Sequence, residues 1–168
     1  MDPEVHYYKL FKATTAFIMD VDGVLTDGSV LLTDSGDELR TMNIRDGYAL
    51  QLAIKRGFSI VVISGGRSEG VVRRLNRLGI KNIAGGVDDK PMALMQIADA
   101  LKIDLTTSVY IGDDIPDLEV MQLCGIPCCP SDAASEVIDI SKYVSPWAGG
   151  KGCVRDILEK VMKLQSKW

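Results

Sequence analysis

The sequence predicts a doubly wound α/β fold built on a parallel sheet. Three observations carry that expectation. The apolar runs Ala16–Met19, Phe58–Ile63 and Ser108–Ile111 have strand length, and their continuous apolar character suits strands buried on both faces. Stretches with helix start and stop signals lie between the runs, so strands and helices alternate along the chain. Polar residues cluster just after the runs, at the strand ends where open α/β sheets bind ligands.

The first run leads at once into Asp20-Val21-Asp22-Gly23. Two residues apart on an extended chain, the carboxylates of Asp20 and Asp22 share one side. Carboxylates that close repel, so such a site needs a cation or a retained proton. Ser29–Leu32 and Glu38–Asn43 flank the turn signal Asp34-Ser35-Gly36-Asp37, and a small β-hairpin is expected over the carboxyl end of the sheet. Asp46 is the expected N-cap of a helix over Tyr48–Arg56, with Gly57 as its stop. Phe58–Ile63 runs into Ser64-Gly65-Gly66-Arg67-Ser68, followed by a helix from about Glu69 to Leu78 and a strand near Lys81–Ala84. A helix from about Lys90 to Leu101 precedes Ser108–Ile111, which closes on Gly112-Asp113-Asp114-Ile115-Pro116-Asp117. A helix to Leu123, a short strand at Ile126–Cys129 and a last helix from about Val154 to Leu164 complete the pattern, with right-handed crossovers expected. Nothing marks a second domain, so residues 1–168 are read as one domain with a flap at about 27–43.

Composition narrows the function. The chain has 168 residues, 46% hydrophobic and 25% charged, enough for a proper core. A formal net charge of −4 and no basic block argue against nucleic acid as the main partner. The longest apolar runs are a few residues, too short to span a membrane. Met1–Thr15 lacks the apolar core of a secretory signal. Cys124, Cys128, Cys129 and Cys153, with the lone His6, fit zinc spacing poorly and read as buried reduced thiols. The expectation is a cytoplasmic protein.

Four features fall at or near strand ends: Asp20/Asp22, Ser64, Lys90 and Asp113/Asp114. Together they suit a phosphoryl group bound beside Mg²⁺, a hard cation that takes one or two carboxylates plus phosphate oxygens. A hydroxyl and backbone N–H groups at a strand-to-helix turn, and an ammonium, serve the same phosphate. Singly each has an ordinary alternative: a turn hydroxyl, a solvated lysine, a helix cap. Four in this order are hard to ascribe to chance.

The set Asp20-Val21-Asp22-Gly23-Val24, Ser64, Lys90 and Gly112-Asp113-Asp114-x-x-Asp117 resembles the four motifs of the haloacid dehalogenase superfamily of phosphotransferases. More narrowly, Asp22–Gly28, Arg45-Asp46-Gly47, Ile63–Ser68 and Gly149-Gly150-x-Gly152-x-Val154-Arg155 resemble its capless branch, whose members remove phosphate from 3-deoxy-D-manno-octulosonate 8-phosphate as Mg²⁺-dependent homotetramers serving lipopolysaccharide synthesis. The resemblance implies Asp20 as nucleophile and Asp22 as general acid and then base. It implies Mg²⁺ on Asp20, the Asp22 carbonyl and Asp113 with Asp114 close behind, and phosphate on Ser64 and Lys90. Thr26, Arg45, Arg67 and Lys151 are expected to contact the sugar acid, the arginines by bidentate pairing with its carboxylate. Arg67 is the strongest of these, because the branch acting on nine-carbon sialic-acid-like 9-phosphates departs from Gly65-Gly66-Arg67-Ser68. The intervals Gly23–Asp46 and Ser64–Lys90 leave no room for a lid domain, so a neighbouring subunit is expected to close the site. The rival from another class, a phospho-accepting receiver domain, carries its acidic pair after the first strand and its acceptor after the third, an order this chain does not follow. A catalytically idle binding subunit is disfavoured because every motif residue is present.

Overall fold

In a computed structural model of the chain, residues 3–168 are described, with side chains from Tyr7 onward. His6, weighed above as a metal ligand, lies outside the described side chains, and Met1 and Asp2 lie outside the described residues altogether. Helix α1 (Pro3–Ala13) precedes strand β1 (Ala16–Met19), the hairpin β2 (Leu31–Leu32) and β3 (Glu38–Leu39), and α2 (Ile44–Lys55). Then come β4 (Ser59–Ser64), α3 (Glu69–Arg77), β5 (Asn82–Gly85), α4 (Lys90–Leu101), β6 (Ser108–Ile111) and α5 (Leu118–Gln122). Strand β7 (Ile126–Cys129), α6 (Ser135–Ile140), β8 (Tyr143–Val144) and α7 (Cys153–Leu164) finish the chain.

Six strands form one parallel sheet in the order β5-β4-β1-β6-β7-β8. The chain steps from β1 to β4 and β5 on one side, then crosses back to β6 on the other. That reversal is a switch point, where neighbouring connections leave to opposite faces and open a crevice. Met19 pairs in register with Val62 and Ile111, so the ends of β4, β1 and β6 lie side by side.

Period-two alternation sorts each central strand between two cores. Phe17 and Met19, Ile60 and Val62, and Val109 and Ile111 face α2, α3 and α7. Ala16 and Ile18, Val61 and Ile63, and Tyr110 face α4, α5 and α6. Both faces are covered, which is why these runs read as continuously apolar rather than alternating. Burying such a side chain stabilises the fold by about 1.5–3 kcal/mol.

Three sequence readings are corrected here. The flap strands are two residues each, shorter than Ser29–Leu32 and Glu38–Asn43, because only a narrow ladder forms between Leu31–Leu32 and Glu38–Leu39. The N-cap of α2 is Asn43, whose Oδ1 accepts from Arg45 N at 2.7 Å. Asp46 is buried instead and accepts the Arg155 backbone N–H at 2.7 Å, capping the first turn of α7 from outside it. Helices α1 and α6 and strand β8 were not foreseen; the last two are too short to show a period. Phe11 of α1 is fully buried against the α2/α7 core, and Gln165 Nε2 donates to the Phe11 and Thr14 carbonyls.

Burial pushes the Asp46 carboxyl up to about 6, with the Arg155 and Gly152 N–H groups opposing. An acid that holds its proton more tightly when folded favours the fold below its unfolded pKa of about 3.8, and that advantage is lost as pH rises through about 6. Asp46→Asn keeps an acceptor and removes the charge. Its unfolding free energy relative to wild type is expected to gain about 2–3 kcal/mol between pH 4 and pH 7. A pH-independent difference in chemical denaturation would contradict this.

Candidate active site

The carboxyl ends of β4, β1 and β6 gather most of the expected residues. Asp20 follows β1 directly, its N–H bonded to the Ile111 carbonyl at 3.0 Å, so the last rung of the sheet fixes its backbone. Gly23 adopts φ +82°, and a Cβ there would collide with the Asp113 carboxylate. Glycine thus lets the loop after β1 close onto the loop after β6.

Lys90 is the first residue of α4, behind the N-cap Asp89. A cation at a helix N-terminus opposes the helix dipole. Nearby carboxylates compensate: Lys90 Nζ lies 3.2 Å from Asp20 Oδ2 and 2.8 Å from Asp117 Oδ1. Burial works against the ammonium, but Asp20 and Asp117 outweigh it and hold its pKa above the usual range. Asp117 also accepts from the Tyr110 hydroxyl at 2.9 Å and from Asp113 N at 3.2 Å. It orients both the lysine and the Asp113 loop.

Asp20, Asp113 and Asp117 offer oxygens within 4.8 Å of one another. Burial, then the Asp117 charge, lifts Asp20 to about 6, with Lys90 opposing; burial, then Asp20, lifts Asp113 to about 7. Asp20 Oδ1 and Asp113 Oδ1 are buried and lack hydrogen-bond partners among the described residues. Two bare anionic oxygens in one buried place fit a hard divalent cation. Asp114 is placed differently from the sequence expectation. It is exposed, and its Oδ1 accepts from Ile115 N at 2.8 Å, capping a short 3₁₀ turn; Asp117 takes the third place in the cluster.

Asp22 sits at the rim, its side chain 36% exposed against 11% for Asp20. Its Oδ1 accepts from Thr26 Oγ1 at 3.3 Å, and Thr26 in turn accepts from Gly23 N and Gly28 N. Thr26, expected to contact the sugar acid, is fully buried and braces this turn. Ser64 ends β4, buried, its Oγ accepting from Gly66 N at 3.1 Å with the hydroxyl hydrogen left for another acceptor.

The four expected substrate contacts separate. Arg67 is exposed and lines a cavity of about 870 Å³ between α3 and the flap, together with Glu38, Arg40, Met42 and Arg74. Arg45 and Lys151 line a different cavity, of about 770 Å³, with Trp147 and Arg155. Lys151 pairs there with Asp27 at 3.0 Å. One subunit therefore does not bring Arg45 and Lys151 together with Arg67. Three residues were missed. Asp117 was visible in the motif after β6 but given no role. Arg40 donates from the flap to Asp22 at 2.8 Å, and Arg74 lines the same cavity as Arg67. Both are tertiary placements with no local signature.

All four cysteines are buried and unpaired, as expected, and burial holds their thiols above the usual range. No helix among the described residues is long and apolar enough to cross a membrane.

A switch-point crevice with an acidic trio, a buried lysine and a strand-end serine defines a hydrolase of haloacid dehalogenase type. The family model for haloacid dehalogenase-like hydrolases matches residues 79–157. The 3-deoxy-D-manno-octulosonate 8-phosphate phosphatase of Escherichia coli K12 is 34% identical over 150 residues, spanning 89% of this chain and 80% of that one. The chain belongs to the haloacid dehalogenase-like hydrolase family. Within it, the same phosphatase from Moraxella catarrhalis, solved with magnesium, phosphate and KDO, is 35% identical with a TM-score of 0.92 over 96% of this chain and 92% of that one. A putative haloacid dehalogenase superfamily (subfamily III A) hydrolase from Legionella pneumophila gives a TM-score of 0.95 at 30% identity, covering 98% and 91%. Among the described residues the fold carries a flap and no cap domain.

Proposed function

We propose that the chain is a Mg²⁺-dependent phosphomonoesterase that works through an aspartyl phosphate on Asp20 and acts on 3-deoxy-D-manno-octulosonate 8-phosphate. The observation that carries this reading is the pair of unpartnered buried oxygens on Asp20 and Asp113, with Lys90 on the other Asp20 oxygen. Asp20 Oδ1 and Asp113 Oδ1 would hold Mg²⁺, which when bound neutralises charge on the phosphoryl oxygens. Lys90 keeps the Asp20 carboxylate oriented and adds its own charge to that neutralisation. The Ser64 hydroxyl and the Gly66 loop bind the phosphoryl group. Asp20 attacks phosphorus, Asp22 hands its proton to the departing alkoxide, and Asp22 then takes a proton from the water that frees Asp20.

The activity of the phosphatase relatives supports the sugar, as does the arginine-lined cavity beside the flap. Arg67 and Arg74 are the cations there for the sugar's carboxylate. The flap exposes Val30, Leu31, Leu32 and Leu39, an apolar surface that suits a neighbouring subunit in a homotetramer. Such a neighbour would close the site and is the route by which Arg45 and Lys151 reach a substrate. The reading includes one phosphatase domain working in the cytoplasm on lipopolysaccharide precursors.

The test compares kcat/KM for the octulosonate 8-phosphate, a nine-carbon sialic-acid-like 9-phosphate and p-nitrophenyl phosphate. The eight-carbon substrate is expected to lead. Arg67→Ala should remove a charge-assisted contact worth about 1.5–3 kcal/mol, a loss of roughly 10- to 150-fold. Only the substrates with a carboxylate should show it. Equal losses on p-nitrophenyl phosphate would make Arg67 structural, and a preference for the nine-carbon ester would move the chain to that substrate.

A further inference from the structure

We propose that Arg40 is a positioning residue that aims the proton-carrying oxygen of Asp22, so that the flap belongs to the acid–base apparatus. The inference rests on Asp22 acting as acid and base, as proposed above.

The two oxygens of Asp22 have different surroundings. Oδ1 accepts from Arg40 Nε at 2.8 Å and from Thr26 Oγ1 at 3.3 Å. Oδ2 is turned to the Ser64 loop: a Cβ built on Gly66 would lie 3.2 Å from Asp22 Oδ2 and 3.5 Å from Ser64 Oγ. The clamped oxygen therefore faces the flap, and the open one faces the candidate phosphate site. A carboxylate's terminal torsion is broad and nearly two-fold, so an untethered Asp22 would sample orientations unfit for proton transfer. Transfer needs the oxygen within hydrogen-bond reach of the leaving group. Two donors on Oδ1 remove that freedom.

Arg40 is itself held. Its side chain is 9% exposed, although Leu31 and Leu32 of the same hairpin are 67% and 70% exposed. The second anchor is Glu38, 3.2 Å from the guanidinium. Burying a guanidinium on an otherwise exposed hairpin is costly unless it is paired. Of its two carboxylate partners, the closer is the one that the mechanism asks to move a proton. Thr26 braces Asp22 from the loop beneath, whereas Arg40 braces it from the flap hairpin, whose position a neighbouring subunit would fix.

The step it serves balances simply. As the Asp20–phosphorus bond forms and the bond to the alkoxide oxygen breaks, the bonding pair leaves on that oxygen. The proton of Asp22 Oδ2 moves to it. In the second half, water attacks phosphorus, its proton returns to Oδ2, and the pair of the broken acyl phosphate bond returns to Asp20.

The test is the dependence of kcat/KM on leaving-group acidity, because this ratio reports the first half-reaction. A series from nitrophenyl phosphates through phenyl phosphate to a simple alkyl phosphate, none bearing a carboxylate, is measured with Mg²⁺ for wild type, Arg40→Ala, Arg40→Lys and Asp22→Asn. An acidic phenol departs without a proton, and an alkoxide does not. Arg40→Ala is expected to lose about 10²-fold on the alkyl phosphate and less than about 3-fold on nitrophenyl phosphate, the low end of what a general acid supplies. Arg40→Lys should fall between, and Asp22→Asn should give the steepest dependence. Should Arg40→Ala not fold, Arg40→Gln, similar in length and still a donor, takes its place. A parallel loss across the series in the Arg40 variants, with Asp22→Asn steep, would overturn the role of Arg40 and leave that of Asp22 intact. An unaltered dependence in Asp22→Asn would overturn the acid assignment itself.

Discussion

Asp20→Asn is expected to lower phosphate release by at least about 10⁴-fold, because it removes the only atom proposed to bond to phosphorus. The size of the effect follows from where Asp20 stands. Its N–H is pinned to the sheet, one carboxylate oxygen lies against Lys90, and the other is bare and buried. The neighbouring carboxylates are otherwise committed: Asp22 is turned to the rim, Asp113 is proposed to hold the cation, and Asp117 is engaged by Lys90, Tyr110 and the Asp113 backbone. The variant should fold. The amide is isosteric, and it relieves the repulsion and burial that push the carboxyl up to about 6. Lys90 keeps Asp117 as a partner. Thermal melts at least as high as wild type, beside absent turnover, are the expected pair of results. Wild-type rates from folded Asp20→Asn or Asp20→Ala would remove Asp20 from the chemistry.

Removing divalent cations is expected to abolish turnover, and Mg²⁺ to restore it. Without a cation, Asp20, Asp113 and Asp117 crowd negative charge into a buried space, and two of their oxygens have no partner among the described residues. A phosphate dianion brought there meets repulsion that Lys90 alone does not cancel. Asp113→Ala removes one of the two bare oxygens and should resemble chelation, losing on the order of 10³-fold or more. Ca²⁺ should bind and support little turnover, since its longer, higher-coordinate shell displaces phosphorus from Asp20. Activity that survives exhaustive chelation would remove the metal from the account.

The sheet was legible because its signals are local. Continuous apolar runs mark strands covered on both faces, and Ala16–Met19 and Ser108–Ile111 match the observed strands residue for residue. The residues at strand ends were legible for the same reason: Asp20, Ser64, Lys90 and Asp113 sit beside strong element signals. What failed depended on partners distant in sequence. Asp46 looked like a cap for its own helix, and instead caps α7 more than a hundred residues later. The resemblance implied Asp114 beside the metal, yet the turn after β6 leaves it exposed and brings Asp117 into the cluster. Arg40 gave no signal, since a cation in a polar hairpin is ordinary until the hairpin folds over Asp22. Arg45 and Lys151 looked like companions of Arg67 because the sequence does not say which cavity each faces.

The central claim is that phosphate passes through a covalent acyl phosphate on Asp20. Asp22→Asn should still accept phosphate from p-nitrophenyl phosphate, whose leaving group needs no proton, and should be slow to release it. Acid quenching within the first turnover, followed by mass spectrometry of the digested protein, then reads the intermediate directly. The expected result is one phosphoryl group on the peptide that carries Asp20, formed with Mg²⁺ and missing after chelation. Nitrophenol released in stoichiometric amount with unmodified protein, or a phosphoryl group on any other residue, would contradict it.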